Sequence, residues 1–522
     1  ESFAASLFTA VPSRSFFPRG FLWDEGFHQL LVSAWDPAIS VDVLGHWLGL
    51  LHVHGSNGSA GAAGVTCPGG WIPREQILGE VARRRVPVEF MAQDISVANP
   101  PTLLLLAERL LDSLGSDNAT SVTNLTSLAG FAAAARGDSG SGGSENSMAP
   151  LVLQFLSSAA PALDRWIQWL LHTQRPEGQP PPLGAFQWRG RDPAEAKLNP
   201  ITLASGLDDF PRASHPSPEE HHVDLLCWMA MACRVMGRLQ ATIRPPGVEG
   251  AAEGTAAWLD VPYEAIAKEL TVVYERVHWD RGSQAYFDRG LHSAGGEIVE
   301  EVVVRCSADG GGGGGGGRTV DVGASQADLQ TGMFRCPPDF PRLLYPLGDG
   351  RGGLLTRERL VGGGRPKLQA VKHFGYVSLF PLLLRLLPAR SKRLRHVLDS
   401  LTDPNLLWSP HGLRSLSADD LFYQRSNAPG DEPYWRGHIW INVNFLALRA
   451  LRHYADAVGP HRAVAADAYA RLRENVLRTV LGEFHRTGFF WEQYDDRTGE
   501  GRRSRPFTGW TALVVNIMAE IY

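Results

Sequence analysis

Apolar residues recur every three or four positions along most of the chain, the period of helices that bury one face. "PTLLLLAERLLDSLG" (Pro101–Gly115) carries leucines at that spacing and stops at a glycine. The same pattern predicts helices over Val41–Gly55, Ala162–Gln174, His222–Leu239, Pro262–Val277, His373–Leu387, Val443–Gly459, Ala463–Leu481 and Thr508–Tyr522. Neither a run of alternating strands nor a βαβ rhythm stands out. The expectation is an all-α domain whose functional residues sit on long polar loops held by a rigid scaffold.

Three stretches break the pattern. Ala132–Ser147 is rich in Gly and Ser, Glu177–Pro182 is rich in Pro, and Gly310–Gly317 is an unbroken glycine run. The first and last read as flexible inserts over 132–147 and 308–318. The glycine run lacks the G-K-[ST] that a phosphate-binding loop requires. A net charge of −5 over 522 residues argues against nucleic acid as the main partner. Of two basic runs, Ala82–Pro87 and Arg390–His396, the second alternates with leucine and reads as the solvated face of a helix. No stretch has the length of a membrane helix, and no signal peptide opens the chain. It begins without methionine and reads as a fragment or processed form. Sequons at Asn57, Asn118 and Asn124 hint at a secretory compartment. Cys67, Cys227, Cys233, Cys306 and Cys336 show no CxxC spacing, and Cys306 and Cys336, which flank the glycine run, are one pair that could form.

The polar residues that resist the helical pattern gather beside aromatics. "ASGLDDFPRASHPSPEEHHVD" (Ala204–Asp224) places Asp208 and Asp209 in a turn bounded by Gly206 and Pro211. Adjacent carboxylates in a pocket would leave one with a raised pKa, able to donate a proton at neutral pH. Plain turn chemistry is the competing explanation. Ser217, Pro218 and Glu220 fit a helix N-terminus closed by a capping box, with Asp224 one turn further on. His215, His221, His222 and Asp224 match no standard metal-ligand spacing, so no metal is expected. Glu492 lies between Trp491 and Gln493, where partial desolvation suits a general base, whereas Asp495, Asp496 and Glu500 look like ordinary turn residues. Arg19, Trp23, Asp24, Glu25 and His28 converge in Phe16–Leu31. Tyr434, Trp435, Arg436 and Trp440 converge in Asp431–Leu446. Further such segments are "GGWIPREQILG", with Trp71, and "GAFQWRGR". The chain holds 15 tryptophans, most of them suited to core packing and several to a sugar site. Aromatic faces beside Arg, Asp, Glu and Asn suit sugar rings and hydroxyls, and two separate carboxylates suit glycoside hydrolysis.

"FPRGFLWDEGFH", "GWIPREQILG", "ASGLDDFPRASHP", "EEHHVDLLCW", "YWRGHIWINVNFL" and "WEQYD…FTGW" occur in that order from Phe16 to Trp510. In these motifs the chain closely resembles the processing α-glucosidases of glycoside hydrolase family 63. The resemblance implies one (α/α)6 barrel over residues 1–522 and no metal or organic cofactor. It implies inverting removal of the terminal α-1,2-linked glucose from the triglucosylated N-glycan precursor on nascent glycoproteins in the endoplasmic reticulum lumen. Carried onto this sequence, the family's acid falls on Asp208 and its base on Glu492. Its sugar-binding motif falls on Glu220 and Asp224. Asp209, Asp24 and Glu25 are the next candidates for the acid. Arg19, Trp23, Asp24, Trp71, Tyr434, Trp435 and Arg436 are expected to line the pocket. The amino-terminal membrane anchor and β-sandwich of full-length relatives do not show in this sequence, so any tie to the membrane would run through a segment outside it. A related inverting α-glucosidase or trehalase on the same barrel, and a catalytically dead sugar-binding protein, are the competing assignments. The length of "EEHHVDLLCW" favours the N-glycan enzyme over a trehalase, and the presence of both carboxylates disfavours a dead protein.

Overall fold

The computed structural model describes residues 6–52, 69–86, 90–115, 148–176, 184–191, 197–243, 257–307, 319–324, 334, 336–340, 342–344, 354–429 and 431–522. The expected inserts at 132–147 and 308–318, the Pro-rich stretch at 177–182, the three sequons and Cys67 lie outside the described residues.

Helices dominate: α1 (Leu22–Trp35), α2 (Pro37–Leu48), α3 (Gly79–Arg83), α4 (Leu103–Gly115), α5 (Met148–Thr173), α6 (Val223–Ile243), α7 (Tyr263–Val277), α8 (Tyr376–Leu383), α9 (Lys392–Thr402), α10 (Ile441–Asp456), α11 (Arg462–Thr487) and α12 (Val514–Ala519). Every helix expected from the apolar period is present, with shifted ends. The last is split, since Trp510–Leu513 forms a 3₁₀ turn ahead of α12. Helix α1 escaped the pattern because Asp24, Glu25, His28 and Gln29 are buried together with its apolar residues, so no apolar stripe alternates with a polar face. Its Gly26 is required by a close approach: a Cβ there would lie 2.3 Å from the Thr102 backbone at the start of α4. Helix α9 buries Leu394, Val397, Leu398 and Leu401 and exposes Lys392 and Arg395, while Arg393 pairs with Glu275 of α7.

The helices contact one another in a fixed order. α1 packs on α4, α4 on α6, α6 on α8, α8 on α10, α10 on the Trp510–Leu513 turn, and that turn on α1. The remaining long helices lie against these: α2 on α1, α5 on α4 and α6, α7 on α6, α9 on α8 and α11 on α10. One continuous apolar core joins them, with Trp47, Trp166, Trp169, Trp188, Trp228, Trp435 and Trp440 fully buried. Core packing thus accounts for many of the tryptophans.

The expectation of no strand rhythm is corrected by an antiparallel sheet. Glu297–Ser307 pairs with Thr319–Gly323, Arg342–Leu344 and Leu354–Val361. Its longest strand, "EIVEEVVVRCS", is a β-branched run set beside the glycine-rich segment. A disulfide joins Cys306 of that strand to Cys336, while Cys227 and Cys233 are free and buried. Among the described residues no helix is long and apolar enough to cross a membrane.

Candidate active site

The N-terminal sides of α1, α10 and the Trp510 turn surround a cavity of about 420 Å³. Its wall includes Arg19, Trp23, Asp24, Arg74, Glu75, Asn99, Asp208, Tyr434, Trp435, Glu492, Phe507 and Trp510.

Asp208 arrives on a loop shaped by Gly206. That glycine ends the Leu203–Ser205 turn at φ 76°, and a Cβ on it would sit 3.0 Å from the Trp23 ring. Both facts demand glycine. The Thr202 N–H then donates to the Asp208 carbonyl at 2.8 Å. No described residue hydrogen-bonds the Asp208 carboxyl, and burial pushes its pKa up to about 7. Arg74 opposes the rise, while Asp209 and Glu492 add to it. Asp209 faces elsewhere. Its Oδ1 accepts the Trp435 N–H at 2.6 Å, its Oδ2 accepts the Tyr434 N–H at 3.1 Å, and its carbonyl accepts Arg436 Nε at 2.9 Å.

Glu492 is 3% exposed and held at both oxygens. The Tyr434 hydroxyl donates to Oε1, and the Ser504 N–H donates to Oε2 at 3.2 Å. Trp510 Nε1 donates to the Glu492 carbonyl at 3.0 Å, which ties the base segment to the turn closing the helix circuit. Trp435 stacks on Trp440 with ring centroids 3.7 Å apart, and Tyr434 stands edge-on to the same Trp440.

Asp24 sits in the first turn of α1, where the helix dipole favours a charged carboxylate. Burial outweighs this and pushes its pKa up to about 8, against His28 and with Glu492 and Glu25. Glu25 turns away from the cavity to accept from Thr9 Oγ1 at 2.9 Å and Gln29 Nε2 at 2.6 Å, with His28 Nδ1 3.0 Å away. Arg19 Nε donates to Glu75 Oε2 at 2.8 Å, across the pairing of Gly20–Phe21 with Glu75–Gln76. The indole N–H groups of Trp23 and Trp435 are buried without a partner among the described residues.

Asp208, Glu492, Arg19, Trp23, Asp24, Tyr434 and Trp435 thus share one cavity, and four other expected site residues do not reach it. Glu220 is fully buried and paired with Arg191. Asp224 forms two bonds with Arg212, at 2.5 and 3.1 Å, and accepts Trp188 Nε1 at 3.1 Å. Trp71 spends its N–H on the Val97 carbonyl, and Arg436 lies behind the wall, bonded to Asp209 and to Asn427. The expected capping box at Ser217–Glu220 is also corrected. Helix α6 begins at Val223, whose N–H is met by Asp288 Oδ1 at 2.8 Å, and Ser217–Glu220 forms a turn before it. Asp496, expected as a plain turn residue, is buried and accepts from Arg414, Tyr423 and Gln424.

Arg74, Glu75, Asn99, Phe507 and Trp510 were missed as wall residues. Four of them stand inside segments whose composition had already drawn notice. Asn99 had no such signal: its side chain braces the wall, with Oδ1 accepting the Trp23 backbone N–H at 3.0 Å and Nδ2 donating to the Ala204 carbonyl at 3.2 Å.

Comparison with known proteins adds three findings. The family described as "Glycosyl hydrolase family 63 C-terminal domain" matches residues 1–309 and 349–520. Mannosyl-oligosaccharide glucosidase GCS1 of Arabidopsis thaliana is 37% identical over 99% of this chain and 50% of its own length. A probable mannosyl-oligosaccharide glucosidase of Schizosaccharomyces pombe is 34% identical over 99% of this chain and 51% of its own. The chain therefore spans about half the length of these relatives. The crystal structure of a mannosylglycerate hydrolase from Thermus thermophilus in complex with glucose aligns with a TM-score of 0.51 at 16% identity, covering 98% of this chain and 95% of that one, a likeness of fold.

Proposed function

The chain belongs to glycosyl hydrolase family 63, and we propose that it is an inverting exo-α-glucosidase that removes the terminal α-1,2-linked glucose from triglucosylated N-glycans. The observation that carries this reading is the pair of unlike carboxyls on one cavity. Asp208 is pushed up to about 7 with no hydrogen bond from the described residues, whereas Glu492 is gripped at both oxygens. A carboxyl protonated near neutral pH is a general acid, and an oriented carboxylate is a general base. The glucosidase names of the two relatives support the substrate.

In this mechanism Asp208 gives its proton to the departing glycosidic oxygen as the C1–O bond breaks. Glu492 takes a proton from water as that water attacks C1 from the opposite face, releasing β-glucose. Such pairs stand roughly 6.5–9.5 Å apart to leave room for the water. Arg19, Trp23, Asp24, Tyr434 and Trp435 bind the glucose unit, the protonated Asp24 and the free indole N–H groups serving as donors to its hydroxyls. The circuit of α1, α4, α6, α8, α10 and the Trp510 turn, with other helices outside it, supports an (α/α)6 barrel forming a single catalytic domain. The proposed reaction fits an enzyme of the endoplasmic reticulum lumen acting on nascent glycoproteins.

The test is parallel incubation with an α-1,2-glucose-capped oligosaccharide, trehalose and mannosylglycerate. Release of one glucose from the first alone is expected. Hydrolysis of trehalose or mannosylglycerate in preference would overturn the substrate assignment.

A further inference from the structure

We propose that Asp209 is a positioning residue whose carboxylate sets where the Glu492 carboxylate stands, by way of Tyr434. The inference rests on the acid and base roles proposed above. Asp209 is covalently adjacent to Asp208, yet none of its hydrogen bonds serves the cavity. Both carboxylate oxygens are spent on consecutive backbone N–H groups, Tyr434 and Trp435, and its own carbonyl receives the Arg436 guanidinium. One residue therefore anchors the stretch 434–436 from across the site.

That stretch delivers the Tyr434 hydroxyl to Glu492. The ring has little freedom to deliver it elsewhere. Trp440 stands edge-on at 4.6 Å, and the Arg503 guanidinium lies over the ring at 4.9 Å. The next residue, Ser504, holds the second oxygen of Glu492. An unbroken path thus runs from the backbone of Asp208 through the Asp209 carboxylate, the Tyr434 backbone and the Tyr434 hydroxyl to the Glu492 carboxylate. Inversion needs the two carboxyls at a fixed separation with a water between them. Asp209 acts on that separation through the backbone, on which it spends both carboxylate oxygens.

Asp209→Asn is the probe, since its amide NH₂ would face a backbone N–H that needs an acceptor. Three measurements decide. In a crystal structure of D209N the Tyr434–Glu492 contact is expected to be lost. On the oligosaccharide, kcat is expected to fall roughly tenfold or more with KM changed less than about threefold. On α-glucosyl fluoride, whose fluoride departs without a proton from Asp208, the fall in kcat is expected to persist, because the defect lies at the base. Tyr434→Phe keeps the ring and guards against misfolding of D209N. It is expected to lose a similar factor, and the double variant should lose no more than the worse single one. A retained Tyr434–Glu492 contact in D209N, recovery of full rate on the fluoride, or additive losses would each overturn the proposal. If the parent chain cleaves neither substrate, the functional reading fails, and the crystal structure of D209N still decides this one.

Discussion

Asp224 and Arg212 form a two-bond ion pair at 2.5 and 3.1 Å, and Asp288 Oδ2 shares the same guanidinium Nη1 at 2.7 Å. All three side chains are almost completely shielded from water. This pair fixes the loop that carries the acid to the first turn of α6.

Asp224→Ala is therefore expected to act on stability. Its removal takes one of two carboxylates from the buried Arg212 guanidinium and leaves Trp188 Nε1 without its acceptor, a loss of about 3 kcal/mol. Urea unfolding should report that loss, while the folded fraction keeps its KM. A stable variant with a much larger KM would restore Asp224 as a sugar ligand.

The pH dependence follows from Asp208. Its carboxyl must hold a proton to act as acid, and its pKa is pushed up to about 7. The falling limb of kcat/KM should therefore centre near that value, with activity lost as pH rises through it. Arg74 holds the value down, so Arg74→Gln should move the limb to higher pH. A limb that stays in place would separate it from Asp208.

Among the described residues none meets the indole N–H of Trp435, a residue of the cavity wall. Trp435→Phe keeps an aromatic ring and removes the donor. One lost hydrogen bond to a neutral sugar hydroxyl corresponds to a fall in kcat/KM of about threefold to tenfold. An unchanged kcat/KM would mean that this N–H meets no substrate oxygen.

Outside the cavity wall, Glu108 of α4 gathers Arg234, Arg385 and Arg449 at 3.1, 2.6 and 2.8 Å. Burial alone would raise its carboxyl, but the three guanidinium groups hold it well below the usual carboxylate range. A depressed carboxylate stabilises the fold above its unfolded pKa of about 4.3 and loses that contribution as pH falls toward the folded value. Glu108→Gln should cost several kcal/mol at neutral pH, on the order of other broken buried pairs, and the gap to the parent should narrow in acid. Chemical denaturation at about pH 7 and about pH 3, on either side of that unfolded pKa, measures both. A pH-independent gap would contradict the account.

What the sequence disclosed divides along physical lines. Helices with one wet face, such as α7 and α11, were legible from their apolar period. Helix α1 was not, because Asp24, Glu25, His28 and Gln29 are buried among its apolar residues and break the apolar period. The strand Glu297–Ser307 was missed although Gly295 and Gly296 precede its β-branched run, because the glycine run that follows it read as an insert. At the site, composition drew attention to the segments bearing Asp208, Glu492 and Trp23. It could not tell which acid in a segment faces the cavity. Asp208 and Asp209 are neighbours of one type, separated only by the backbone N–H groups that claim the second. Glu220 and Asp224 carry a family motif in sequence, but Arg191 and Arg212, which occupy them, stand apart from that motif along the chain.

The central claim is inversion by Asp208 and Glu492, and the anomer of the first glucose released tests it most directly. A proton NMR time course on an α-1,2-glucose-capped oligosaccharide should show β-glucose before mutarotation. Asp208→Asn and Glu492→Gln should each slow its appearance by about 10² or more. Early α-glucose, or full activity in either variant, would contradict the mechanism.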